Sequence, residues 1–264
     1  MRLAFGPAAV VLASLLQIGG ATEASAQDRQ ESLQQSSSQV PNRSADFLFG
    51  RPRASIGVRG HWIFASAGSD IFDFVTRQLT LDKKDFDGPG FGADGGVALN
   101  DRLDVVGGFE MSRMSKGSEY RDFVDNLLLP IEQRTSLNTL SIVGSVRYAL
   151  IPKGQQISRL AWIPNRVVPY VGAGAGATHY EFRQSGDFVD FQDLSVFNDS
   201  FKAAGWTPTA HVFGGVDVQL FRGLYCTAQG RYTKAKGTLS SDFIDFDPID
   251  LSGFRVSAGI NLLF

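Results

Sequence analysis

The sequence predicts an all-β fold, an eight-stranded antiparallel up-and-down transmembrane β-barrel, on three observations. From about residue 54, apolar and polar side chains alternate with period two in eight separate runs, as strands with one apolar and one polar face do. The links between runs are by turns tight and long, as an antiparallel meander requires. Tight links fall at Asn100-Asp101-Arg102 and Arg222-Gly223, and long polar ones near residues 67–87, 116–133, 183–205 and 238–252. The polar parity also carries four basic and four acidic residues, which fits a wet interior and an apolar wall facing lipid, because unpaired burial of charge is costly.

The chain opens with Arg2, an apolar run from Ala8 to Ile18 and a small-residue stretch Ala24-Ser25-Ala26. This reads as a secretory signal over residues 1–26, with a mature chain from Gln27. The apolar run falls short of the roughly 20 residues a membrane helix needs. Residues 27–53 are rich in Gln and Ser and too polar to bury a core, which predicts a flexible leader. The barrel domain is then 54–264.

The first strand sets Ile56, Val58, Trp62 and Phe64 against Arg59 and His61, and the second sets Phe91, Ala93, Val97 and Leu99 against Asp94. The third opposes Leu103, Val105, Phe109 and Met111 to Asp104 and Glu110, and the fourth opposes Leu140, Ile142, Val146 and Tyr148 to Ser141, Ser145 and Arg147. In the fifth, residues 167–182, Gly alternates with Val or Ala, and Val171, Ala173 and Ala175 are assigned outward. The sixth sets Val212, Val216 and Leu220 against His211 and Asp217, the seventh Leu224, Cys226 and Tyr232 against Arg231, and the eighth Phe254, Val256 and Ile260 against Arg255. One link, 151–166, is long where a short one is due. Ile157–Ile163 is assigned a small interfacial helix, with Trp162 at headgroup level.

Composition narrows the chemistry. With 25 basic and 27 acidic residues, the net charge of -2 leaves no basic surplus for nucleic acid. A single cysteine, Cys226, has no partner, and the three histidines are scattered, so no metal site and no cofactor are expected. Gly172, Gly174 and Gly176 lack phosphate-loop spacing. His61 and His211 lie on the polar parity, where lumen hydrogen bonds are expected. His179 faces outward without a serine two residues away, so general-base chemistry lacks a nucleophile; no catalytic residue is assigned.

Two groups of residues carry the functional expectations. Arg59, Arg147, Arg231 and Arg255 should pair with Asp94, Asp104, Glu110 and Asp217 into a network that fills a lumen too narrow for a free channel. Each long link also holds an acidic-aromatic unit: Asp70, Phe72 and Asp73; Asp122, Phe123 and Asp125; Asp187, Phe188 and Asp190; Asp242, Phe243 and Asp245. The four links together hold 17 acidic residues against seven basic ones. Either the aromatic residues pack the links into a cap, or the carboxylates bind divalent cations or a basic surface partner, with the aromatic residues as anchors.

The leading signal, the Gly-rich strand Pro169-Tyr170-Val171-Gly172-Ala173-Gly174, the Arg and Glu residues of the polar parity and the alternating last strand ending in Phe264 together resemble the eight-stranded outer-membrane barrel superfamily that includes the OmpA transmembrane domain, OmpX and OmpW. The resemblance covers roughly residues 54–264. It implies a cell outer-membrane location, a leader lying in the periplasm and outer-membrane lipids as partners. It also implies that Phe264 serves as the C-terminal signal for the assembly machinery, a transient partner. The peptidoglycan-binding domain that follows the barrel in OmpA is not expected here. The function implied is a non-enzymatic barrel with a structural or surface-interaction role; a narrow conduit for small or apolar solutes is the alternative, and a lipid-modifying enzyme ranks third.

Overall fold

The computed structural model describes residues 48–158, 161–243 and 245–264. The signal segment 1–26 and leader residues 27–47 lie outside the described residues. In chain order the strands are β1 (Ala54–Ala65), β2 (Gly88–Ala98), β3 (Leu103–Val124), β4 (Pro130–Ala149), β5 (Gly154–Ser158), β6 (Ala161–Pro164), β7 (Val167–Val189), β8 (Val196–Phe221), β9 (Leu224–Gly237), β10 (Ile249–Asp250) and β11 (Gly253–Leu263). Among the described residues there is one α-helix, α1, spanning Asp70–Gln78.

Eight of these strands close a ring. Each of β1, β2, β3, β4, β7, β8, β9 and β11 pairs antiparallel with the next, and β11 returns to β1 from Ser55 opposite Leu263 to Ala65 opposite Gly253. Closure leaves no open edge in lipid, where backbone groups find no other partners. At the seam the Phe264 carbonyl accepts from the backbone N–H groups of Arg53 and Ala54, and its own N–H donates to the Ala54 carbonyl, all at 2.9 Å. The tight links lie at this end. The Asn100 side chain accepts from the N–H groups of Arg102 and Leu103 at 2.9 and 2.8 Å, and Gly223 supplies a φ of +69° that a side chain would oppose.

The strand faces follow the alternation. Ile56, Val58, Trp62, Phe109, Ile142, Val171, Val212, Cys226, Val256 and Ile260 stand on the outer wall, exposed, while Asp104, Glu110, Asp217, Arg231 and Arg255 are buried inside. The outer face is apolar and the inner face charged, the arrangement of a barrel whose surroundings are lipid. Among the described residues no helix is long and apolar enough to cross a membrane.

The expected long links at 116–133 and 183–205 need correction. Residues 116–124 and 130–133 are strand, as are 183–189 and 196–205, so only residues 125–129 and 190–195 remain as turns. Strands β3, β4, β7 and β8 are 20 to 26 residues long, against 11 to 14 for the other four. A membrane crossing takes about 9–11 residues of tilted strand, so four neighbouring strands continue into water as a wall. Their alternation reverses there without a change of parity. Met114, Leu137, Tyr180, Phe182 and Ala203 now point inward into a core, while Arg113, Arg134, Glu181, Arg183 and Lys202 lie outward. Water outside the wall, in place of lipid, is the physical reason for the reversal.

Against this wall packs α1, within the 67–87 link. Asp70 and Asp73 occupy its first turn and Arg77 its last, which suits the helix dipole. Ile71, Phe72 and Val75 form its buried face. They join Leu79, Leu81, Phe86, Phe243 and Ile249 in a core at the mouth of the barrel.

The 151–166 link also departs from expectation. Among its described residues there is no helix; β5 and β6 form a hairpin with Gly154 opposite Pro164. Trp162 is 3% exposed, not at headgroup level, because its backbone pairs with Leu48 and its ring covers the tight-link end of the lumen beside Arg51, Lys153 and Asp104. Residues 48–53, assigned to the leader, are held there: Leu48 by that bridge and Arg51 by Asp101 at 3.1 Å.

Single cysteines introduced in a Cys226→Ser background test the reversal of faces. Val256→Cys and Ile260→Cys should react with a lipid-phase probe and Ser257→Cys should not. Ser185→Cys, on the outward parity of the wall, should react on whole cells with a membrane-impermeant reagent. Lipid-phase labelling at position 185 would mean that the wall lies in the bilayer.

Candidate functional site: the charged lumen and the head above it

The alternating strands bring all eight interior charges together as ion pairs stacked along the lumen. Nearest the tight-link end, Arg147 donates from Nε to Asp104 Oδ2 at 2.9 Å and from Nη1 to Asp217 Oδ2 at 3.0 Å. Asp217 also accepts from Thr227 Oγ1 at 2.6 Å. Arg59 pairs with Asp94, its Nε 3.1 Å from Oδ1. Toward the mouth, the Glu110 carboxylate takes one arginine on each oxygen, Arg231 Nη1 and Arg255 Nη1, both at 2.6 Å. These bonds join strands as far apart in sequence as β3 and β11, so they brace the ring across its interior.

Lys153, in the 151–166 link, is a ninth charge that pairs with Asp104. No alternation marks it, since it lies outside the barrel strands. His211 shares a 2.9 Å hydrogen bond with Ser145 Oγ. For His61 the expected lumen bond is not made, and neither ring nitrogen has a partner. Cavities of about 20 Å³ beside Lys153 and about 40 Å³ beneath α1 have room for a water or two each. Phe72 and Phe86 of the α1 core line the cavity that reaches Arg255, and Trp162 of β6 lines the one beside Lys153 and Asp104.

The acidic-aromatic units divide by role. Phe72, Phe188 and Phe243 are buried; Phe72 stacks edge-on against Phe86 at 4.6 Å and Phe182 at 6.2 Å, and Phe188 against Phe201 at 4.7 Å. Phe123 is half-buried and meets Phe191 at 5.8 Å, joining the tips of the β3–β4 and β7–β8 hairpins. Four of the eight carboxylates serve the backbone. Asp70 accepts from the N–H groups of Ile71 and Asp247, Asp125 from Leu127 and Leu129, Asp190 from Gln192, and Asp242 from Lys202. Asp73 pairs with Lys83 at 2.8 Å, and Asp187 accepts from Asn198 Nδ2 at 2.8 Å. Asp122 and Asp245 stand exposed. Among the described residues no three or more His, Cys, Asp or Glu side chains converge as a metal site would need.

Sequence reasoning did not find the residues that the tips display. In the five-residue turn 125–129, Leu127, Leu128 and Leu129 are 77%, 81% and 55% exposed; in the six-residue turn 190–195, Phe191 and Leu194 are 52% and 61% exposed. Leu128 and Leu194 adopt φ of +63° and +61°, a left-handed conformation that costs a side-chain-bearing residue on the order of 1 kcal/mol. The Leu127-Leu128-Leu129 run was the available sequence signal.

A closed ring, an apolar outer wall and a paired, charged lumen define this chain as a transmembrane β-barrel. No family model and no curated protein matches the sequence. Among solved structures it is similar to Neisserial surface protein A, at 16% identity and TM-score 0.44, over 80% of this chain and 96% of that one. It is also similar to the outer membrane protein OprG from Pseudomonas aeruginosa, at 13% and 0.44 over 81% and 98%. A third is Ail, the attachment invasion locus protein of Yersinia pestis, at 15% and 0.41 over 82% and 100%.

Glu110→Leu should strand two arginines in the lumen and destabilise the barrel by about 3 kcal/mol or more. The measurement is the temperature at which the folded form is lost on SDS gels. Removing all three charges, as Glu110→Leu/Arg231→Met/Arg255→Met, should recover most of that loss. A single variant as stable as wild type would show that the lumen solvates these charges freely.

Proposed function

We propose that the protein is a non-enzymatic outer-membrane barrel whose rigid extracellular head engages a cationic, partly apolar partner through its two joined hairpin tips. The observation that carries this reading is the pair of leucines, Leu128 and Leu194, held exposed in a left-handed conformation on adjacent tips. Backbone strain clusters at sites that grip ligands, and exposed apolar clusters rimmed by polar groups mark interaction surfaces. The flanking residues Asp122, Asp125, Asp187, Asp190, Asp193 and Asp199 make the rim acidic, which favours basic partners by steering. Arg121, the nearest cation in sequence to the first tip, is turned away, its guanidinium donating to the Leu79 and Leu81 carbonyls.

A non-enzymatic role rests on His179. It stacks edge-on against Trp206 at 5.2 Å, and neighbouring Glu181 is occupied by Lys202 at 2.7 Å and Arg183 at 3.4 Å. That leaves no base oriented toward a nucleophile. The filled lumen supports a closed barrel in preference to a conduit.

The test is binding of a cationic amphipathic helical peptide to the barrel reconstituted in zwitterionic vesicles, followed by peptide fluorescence at rising salt. Affinity should fall with salt, and Leu128→Gly/Leu194→Gly should lower it about tenfold while raising the unfolding temperature, because glycine relieves the left-handed strain. Unchanged affinity in that variant would reject the tips as the contact surface.

A further inference from the structure

A second surface lies lower, on the outer wall, where the faces reverse. A groove of about 610 Å³ crosses β2, β3, β4 and β7. Its floor is one row of the sheet. Phe91 pairs with Met111, Met111 with Leu140 and Leu140 with His179. The row above it, toward the head, runs from Arg113 to Asn138 and on to Glu181. The lower row belongs to the apolar band and the upper one to the polar wall, so the groove straddles the level at which acyl chains give way to headgroups.

The upper row is left chemically incomplete. Neighbouring cations on the wall are engaged, Arg183 and Lys202 by Glu181 and Arg134 by Ser115 Oγ at 3.4 Å. Arg113 makes no ion pair or side-chain hydrogen bond among the described residues. Opposite it, Asn138 Oδ1 is shielded from solvent and has no hydrogen-bond donor. A guanidinium without an anion therefore sits beside an amide oxygen without a donor, above an apolar floor. Glu181, the one acidic residue lining the groove, is neutralised by its two cations.

We infer that this groove binds a phosphorylated glycolipid of the outer leaflet. Its phosphate would meet Arg113, a sugar hydroxyl would donate to Asn138 Oδ1, and an acyl chain would lie along Phe91, Met111 and Leu140. Arginine suits phosphate through its planar, forked donors, and a shielded carbonyl oxygen without a donor is costly, a cost that a hydroxyl relieves. No single simpler ligand meets all three features: inorganic phosphate leaves the floor bare, and an unphosphorylated lipid leaves Arg113 unpaired.

The test uses delipidated barrel in a zwitterionic detergent and native mass spectrometry, titrating diphosphorylated lipid A, its dephosphorylated form and inorganic phosphate. One tight equivalent of the diphosphorylated lipid is expected, with at least tenfold weaker binding of the dephosphorylated form. Arg113→Gln should weaken binding about tenfold and Asn138→Leu several-fold, with Arg113→Lys intermediate. Lys234→Gln, an outward cation on β9 away from the groove, should change nothing. All three positions lie on the outer face, and unaltered mobility of the folded form on SDS gels confirms that each of the four variants has folded. Equal losses in Arg113→Gln and Lys234→Gln would reduce the effect to general surface charge and overturn the proposal. Displacement of the lipid by millimolar phosphate alone would also overturn it, leaving an anion subsite. The Leu128→Gly/Leu194→Gly variant should bind the lipid as wild type does, so failure at the tips and failure at the groove are separate results.

Discussion

Lipid offers no hydrogen bonds to a backbone, so a sheet that enters it must close on itself, and most of this structure follows from that requirement. Closure of β11 onto β1 fixes which parity of every strand points inward. The inward parity carries charges, and a ring of eight strands leaves little room for water among them. The charges must therefore answer one another: Glu110 to Arg231 and Arg255, Arg147 to Asp104 and Asp217, Arg59 to Asp94. Arg147–Asp104 and Arg59–Asp94 tie neighbouring strands, while the links of Glu110 to Arg231 and Arg255 and of Arg147 to Asp217 reach strands that are not hydrogen-bonded to each other, so the network that satisfies the charges also holds the ring in register. The same parity that makes the wall greasy makes the interior rigid.

Above the membrane the constraint changes sign. Water now lies outside β3, β4, β7 and β8, and the side chains that face it become polar while the inward ones become apolar. This lets four strands run on without a break. Tyr180 and Phe182 continue the inward parity of Thr178, yet Thr178 belongs to a polar lumen and its two successors to a hydrophobic core. The other four strands stop near the interface, and the half-open wall they leave is filled by α1 and by Phe243 and Ile249. The head is thus a folded body with a core, and that core sits at the mouth of the barrel.

How much of this the sequence disclosed depended on whether a local rule applied across a whole element. Within the membrane one rule covers every strand, so alternation located eight strands and assigned all eight interior charges to one side. Residues 116–124 and 183–189 were misread because their outward positions are polar and their inward ones apolar, the reverse of the pattern in the same strand below; the period was intact and only its sense had changed. Lys153 and Trp162 were out of reach for another reason. They line one end of the lumen from a hairpin whose placement depends on Leu48, far off in the chain. The four acidic-aromatic units show the limit of motifs without context. One begins a helix, two lead into hairpin turns and one forms a 3-10 turn, and what they share is a phenylalanine packed, fully or in part, near a carboxylate that accepts from the backbone.

Functional meaning concentrates where the chain breaks the rules it otherwise obeys. Charges in the lumen are paired, and many carboxylates in the head cap turns or meet cations. Against that background two departures stand out, and they differ in kind. Leu128 and Leu194 expose apolar surface in a strained backbone conformation that a glycine would adopt freely, so the tips hold a shape that stability alone does not favour. Arg113 and Asn138 leave a donor and an acceptor unmet side by side, although the register sets them opposite each other and only 20 other positions along the chain separate Arg113 from Arg134, which does find a hydroxyl. A strained apolar display suits a macromolecular surface that buries it, whereas unmet polar groups at the bilayer interface suit a small amphiphile that completes them. The two departures also lie at different heights, one at the tips and one at the level of the headgroups, so a molecule bound at one leaves the other free.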